Sequence, residues 1–82
     1  PFNPVTTIQY DVPAGGADVN IAVFDVSGRL VRTLVNEHRN AGRFSAQWNG
    51  ADGRGGSVAS GVYFYRMRAG DFAETRKMVL LK

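Results

Sequence analysis

Apolar side chains recur at every second position along nearly the whole chain. That period suits strands and disfavours an amphipathic helix, whose apolar positions recur about every 3.6 residues. Thr6, Ile8, Tyr10 and Val12 alternate with Thr7, Gln9 and Asp11. Val19, Ile21 and Val23 alternate with Asn20 and Ala22 and run on into Phe24, and Phe44, Ala46 and Trp48 alternate with Arg43, Ser45 and Gln47. Between them a strand is expected from about Arg29 to Val35, with Leu30, Arg32 and Leu34 on one face and Val31, Thr33 and Val35 on the other. Residues 62–69 and 72–81 are rich in β-branched and aromatic side chains and flank Gly70-Asp71, the strongest local hairpin signal in the chain. Only Leu30 to Arg39 contains good helix formers, but Val31, Thr33 and Val35 interrupt them and no convincing N-cap precedes.

The punctuation agrees with this pattern. Pro13-Ala14-Gly15-Gly16 breaks the chain, and Asp25-Val26-Ser27-Gly28 is a tight-turn sequence in which Gly28 can supply a positive φ. Asn36 to Gly42 is polar, contains His38 and is expected to be a loop. Asn49 to Ser57 holds four of the ten glycines and is expected to be a long surface loop outside the core. Short strands separated by turns at these intervals predict an all-β fold, an immunoglobulin-like antiparallel β-sandwich of about seven short strands. With 82 residues it is expected to be a single domain spanning residues 1–82. The chain has no cysteine, so the inter-sheet disulfide of antibody domains cannot form; Trp48, Phe44, Tyr63 and Tyr65 are expected to fill that volume.

The same residues argue against most catalytic chemistries. Thiolate metal sites are excluded, and His38 is the single histidine. Glu37 adjoins it, but neighbours on an extended segment point to opposite sides, and no G-x-S-x-G elbow is present. The glycine-rich loop lacks the phosphate-binding G-x-x-x-x-G-K-[ST] pattern. Asn49, Asp52 and loop carbonyls offer oxygens to calcium, but without the D-x-[DN]-x-[DN]-G pattern and distal glutamate of a calcium loop. The expectation is therefore a non-enzyme without a cofactor. The net charge is +3 and eight of the ten basic residues are arginines, scattered rather than in a block. Arg66 and Arg68 share a strand face with Phe64, a pattern nucleic-acid binders use, but it is common on exposed sheets and nucleic-acid binding is not expected. No apolar run reaches the ~20 residues of a transmembrane helix.

One pattern points outward. In the last strand Met78 and Leu80 form one apolar face and Val79 and Leu81 the other, while Val62 and Phe64 oppose Tyr63, Tyr65 and Met67. A two-layer sandwich buries one face of each sheet, so the second face either contacts another domain or copy or is covered by a loop.

Six motifs then occur in order: Pro1-Phe2-Asn3-Pro4, Thr6-Thr7-Ile8, Phe24-Asp25-Val26-Ser27-Gly28-Arg29, Trp48-Asn49-Gly50, Ser60-Gly61-Val62-Tyr63-Phe64-Tyr65 and Lys77-Met78-Val79-Leu80-Leu81-Lys82. In this series, over essentially its whole length, the chain resembles the C-terminal sorting domain of type IX secretion substrates. It is also similar to the immunoglobulin-like domain of flagellar hook-capping proteins, to which those sorting domains are related. The resemblance implies a non-catalytic sorting or attachment module of an exported bacterial protein, recognised by an outer-membrane secretion translocon and destined for the cell surface or the extracellular space. It implies recognition or assembly roles for Asn3, Pro4, Gly61, Tyr63, Lys77, Met78, Val79, Leu80, Leu81 and Lys82. Family members carry a large upstream passenger domain, and the start at Pro1 rather than Met suggests that the chain is the C-terminal part of a longer protein. The alternative expectation is a structural module that forms a homo-oligomer or filament by adding a terminal strand to a neighbour's sheet, with Phe2 to Val12 as the donor.

Overall fold

The structure, a computed structural model, describes residues 5–81. Its strands are β1 (Thr6–Val12), β2 (Ala17–Asp25), β3 (Leu30–Arg39), β4 (Gly42–Trp48), β5 (Gly61–Ala69) and β6 (Phe72–Leu80). They form two antiparallel sheets, a smaller one of order β1-β4 and a larger one of order β3-β2-β5-β6. The immunoglobulin-like sandwich is therefore present, with six strands among the described residues where about seven were expected.

The alternation read from the sequence sets the core. Ile8, Tyr10 and Val12 of β1 and Ala46 and Trp48 of β4 face Ala17, Val19, Ile21 and Val23 of β2, Tyr63, Met67 and Ala69 of β5, and Met78 and Leu80 of β6. Of the aromatic residues expected inside, Trp48 and Tyr63 are buried, whereas Phe44 and Tyr65 are partly buried and pack against the core from its margin. The indole meets the Tyr63 ring edge to face at 5.1 Å and donates its Nε1 hydrogen to the Ala51 carbonyl at 2.8 Å. Tyr63 in turn donates its hydroxyl hydrogen to the Ala59 carbonyl, four residues upstream, at 2.6 Å. A tyrosine tied back to upstream backbone in this way is the corner device of immunoglobulin-like sandwiches, and here it fixes the entry into β5.

β3 departs from expectation in two ways. It runs on to Arg39, so residues expected in a polar loop form a strand, with Asn36 opposite Asn20 and His38 opposite Asp18. Polar residues are tolerated there because β3 is an edge strand and these side chains point to water. Its faces also do not alternate simply. Val35 pairs with Ile21 but Thr33 with Ala22, and Arg32 pairs with Val23 but Leu30 with Phe24, so Leu34 and Val31 are the extra residues of two bulges. The bulges allow Val31, Leu34 and Val35 all to pack on the core, and Leu30 is left exposed.

The turns close as their residues require. Gly28 has φ 87° and donates its N–H to the Asp25 carbonyl at 3.0 Å. The Asp25 carboxylate accepts from Ser27 N, Ser27 Oγ and Arg29 N at 2.9, 2.6 and 3.1 Å. Ala69 pairs with Phe72, so Gly70-Asp71 is a two-residue hairpin loop; positive φ at Gly70 alone (61°) is the type II′ geometry, which favours glycine first. The glycine-rich loop folds back on β3: Gly53 N–H reaches the Val31 carbonyl at 3.0 Å and Arg32 Nη1 the Asp52 carbonyl at 3.3 Å.

Candidate interaction surface

His38 Nδ1 lies 3.2 Å from Asp18 Oδ1 across the β2–β3 hairpin, both side chains largely exposed, while Glu37 turns to Arg39 Nη1 at 2.6 Å. Adjacent residues of a strand thus serve different partners, and the depression that Asp18, Glu37 and His38 border is open to solvent. In the glycine-rich loop the Asp52 carboxylate accepts from Arg54 N and Gly56 N, each at 2.9 Å. Those bonds hold its pKa below the ordinary carboxylate value and direct its charge at the loop's own backbone. Among the described residues no three His, Cys, Asp or Glu side chains gather as a metal group.

The surface features of the larger sheet are more informative. By alternation its outer face carries Phe24 and Ala22 from β2, Val62, Phe64, Arg66 and Arg68 from β5, and Lys77 and Val79 from β6. In register, Leu30, Phe24, Phe64 and Lys77 form one row across the four strands, and Val62 and Val79 form the next toward the end of the sheet. Val26, in the turn after β2, and Leu81, just past β6, lie at the same end. Val26, Leu30, Val62, Val79 and Leu81 account for five of the seven large hydrophobic side chains exposed among the described residues. Isolated exposed apolar residues are ordinary, but a concentration on one sheet face marks a contact surface. The Arg66 guanidinium lies over the Phe24 ring at 5.0 Å, and beside it a shallow groove is lined by Phe24, Val26, Phe64, Arg66 and Thr75.

The positions expected to serve recognition divide between core and surface. Tyr63, Met78 and Leu80 are buried and hold the sandwich together; Gly61 opens β5; Lys77, Val79 and Leu81 are exposed. Asn3, Pro4 and Lys82 lie outside the described residues. Leu30 and Phe24 belong to the same face but were not anticipated there, and Arg66, expected beside Phe64, was not anticipated over Phe24. For Leu30 the bulges hid its direction; Phe24 and Arg66 had the right parity, but nothing in the sequence showed that β2 and β5 are neighbours. Of the expected donor segment Phe2 to Val12, residues 2–4 lie outside the described residues; Thr6–Val12 pairs with Gly42–Trp48 within the chain, and Ile8, Tyr10 and Val12 are core residues, so a copy that donated the segment would need a neighbour's strand to refill its sandwich.

A second depression lies at the open flank of the sandwich, where the smaller sheet stops short of β6. Tyr10, Pro13, Met67, Ala69, Phe72 and Glu74 line it. No helix of the described residues is long and apolar enough to cross a membrane.

Comparison with known proteins places this architecture. Neither the curated proteins nor the solved structures contain a match to the chain. The family model for the FlgD Ig-like domain matches residues 4–71, which takes in β1 to β5 and the β5–β6 turn, including the Asp25–Gly28 turn, Trp48 and the Tyr63 corner. The chain belongs to the FlgD Ig-like domain family.

Proposed function

We propose that this domain is a non-catalytic sorting or attachment module of an exported bacterial protein, joined to an upstream passenger and recognised by an outer-membrane secretion machinery of the type IX kind. The observation that carries the reading is the two-sided use of β6. Met78 and Leu80 close the core, while Val79 and Leu81 extend an apolar cluster outward, with Val79 opposite Val62. A strand that served folding alone would have no need of apolar residues on its solvent face. Membership of a family named for a flagellar hook-capping protein supports a structural role and export, since flagellar proteins of this class work outside the cytoplasm. The apolar end of the larger sheet is the surface offered to the machinery.

The test separates recognition from folding. A reporter passenger fused to residues 1–82 is expressed in a bacterium that has the type IX machinery, with and without Val79→Asp plus Leu81→Asp. Both side chains are exposed, so the variant domain should melt within a few degrees of the parent. Retention of the variant fusion in the periplasm, with the parent fusion secreted, is the expected result. Equal secretion of the two refutes the reading.

A further inference from the structure

The net charge of +3 has a location. Six of the seven acidic side chains are engaged within the fold: Asp11 with Arg43, Asp18 with His38, Glu37 with Arg39, Glu74 with Arg76, Asp25 in its turn and Asp52 in its loop. Arg29 lies in the field of Asp25, and Arg32 and Arg54 in that of Asp52. Among the described residues this leaves Arg66, Arg68 and Lys77 as cations without an acidic partner, and all three lie on the outer face of β5 and β6. Arg66 and Arg68 are successive outward residues of β5, and Lys77 pairs with Phe64, next outward from Arg66. The Nε of Arg66 is buried and has no hydrogen-bond partner.

We infer that this face docks an acidic protein segment that presents aliphatic side chains and carboxylates on one and the same side, matching the order Val62, Phe64, Arg66, Arg68 along β5. Arg66, Arg68 and Lys77 take the carboxylates, and the row from Phe24 and Phe64 to Val62 and Val79 takes the aliphatic groups. Arginine suits the role because its planar fork binds a carboxylate through two parallel hydrogen bonds and tolerates partial burial better than lysine. A second copy of the chain fits poorly, because its acids are already engaged and only Asp71 is left over. Single-stranded nucleic acid needs exposed rings to stack on; of the two rings here Phe24 is already covered by Arg66, and the other apolar side chains are branched aliphatics. A bilayer would have to take in guanidinium groups lying level with the apolar row on a flat sheet. The inference deepens the proposed function by naming the partner chemistry of the same face, and it rests on that reading only for the choice of face.

The test uses the 82-residue chain, isotopically labelled, and four probes: an eight-residue Leu-Glu peptide with Leu at its first and third positions, Glu at its fifth and seventh and Ser elsewhere, its Leu-Gln analogue with Gln for Glu, a ten-nucleotide oligothymidylate and phosphatidylglycerol vesicles. The Leu-Glu peptide is expected to shift the amide signals of Phe24, Phe64, Arg66 and Val79, and to bind more weakly as salt is raised. Arg66→Gln with Lys77→Gln should weaken it about tenfold or more, whereas Arg43→Gln on the other sheet should leave it unchanged. Equal binding of the Leu-Gln peptide, shifts confined to other residues, an unaffected double variant, or tighter binding of the oligonucleotide or vesicles would each overturn the inference. Failure here is distinguishable from failure of the sorting reading. A passenger retained by the Val79/Leu81 variant, with no peptide bound, overturns only the partner chemistry; peptide binding with unimpaired secretion overturns only the sorting role.

Discussion

Replacing Trp48 by alanine tests the packing on which the domain depends. The indole is 1% exposed. An aromatic side chain of this kind buries about 150–250 Å², which at roughly 25 cal/mol per Å² gives about 4–6 kcal/mol of gross burial. Measured truncations of buried aromatics to alanine cost about 3–5 kcal/mol once partial collapse of the cavity is allowed. The edge contact with Tyr63 and the bond to the Ala51 carbonyl are lost as well, and both favour the upper half of that range. A domain of 82 residues has roughly 4–12 kcal/mol of total stability, so the variant should be partly or wholly unfolded at 37 °C. Trp48 is the only tryptophan, which rules out intrinsic indole fluorescence for the variant; far-ultraviolet circular dichroism with urea and with heat is the assay. At about 4–8 °C per kcal/mol for a domain this small, the melting temperature should fall by at least about 12 °C. A fall under about 4 °C, or a loss under about 1 kcal/mol, would show that Trp48 is not the centre of the core and would refute the assignment of faces in β4.

Two further substitutions address the corner and the turn. Tyr63→Phe keeps the ring against Trp48 and removes only the bond to the Ala59 carbonyl, so about 0.5–1.5 kcal/mol should be lost in urea denaturation; a larger loss would mean that the ring itself had moved. The hydrogen bond from the Ser27 hydroxyl, then that from Arg29 N, holds the Asp25 carboxyl below its ordinary value of 3.8. A lowered folded-state pKa gives stability that is fully present above the unfolded value and is lost as pH falls through the folded one. The urea midpoint should therefore hold steady above about pH 5 and decline in the acid range. Asp25→Asn should show a shallower acid decline, and an unchanged decline would mean that Asp25 does not contribute to it.

The parts of this fold legible in the sequence are those governed by local periodicity. β1 and β4 alternate because one face of each is core and the other solvent; β2 alternates only from Ala17 to Ile21, after which Ala22 is buried on the outer face as well. Gly28 and Gly70 mark their turns because no residue with a β-carbon adopts their φ cheaply. β3 was legible as a strand but not in its faces. A bulge is an agreement between two strands about register, and the pattern of one strand carries no trace of its partner's offset. Asn36 to Gly42 reads as a loop because it is polar and ends in glycine, whereas an edge strand tolerates polar residues on the side facing water, and Asn36 to Arg39 belong to one. The interaction surface was half legible. The outward Val79 and Leu81 could be found by parity, and Arg66 and Arg68 by their spacing. That Arg66 sits over Phe24, and that the other described basic residues are occupied elsewhere, depends on pairings between strands far apart in sequence.

The double duty of β6 explains why truncation cannot test recognition in this domain. Met78 and Leu80 alternate with Val79 and Leu81, so removing the end of the chain takes a core residue with every surface residue. Leu80 is among the most completely buried side chains, and Met78 pairs across from Tyr63, which packs on Trp48. Deleting residues 78–82 would cost several kcal/mol of burial, comparable with the whole stability of a domain this small, and a secretion defect would then report unfolding. Substitution at alternate positions escapes the confusion, because the period of two assigns adjacent residues to opposite faces. The alternation that first identified the chain as a sandwich therefore also separates the residues that build it from those it presents.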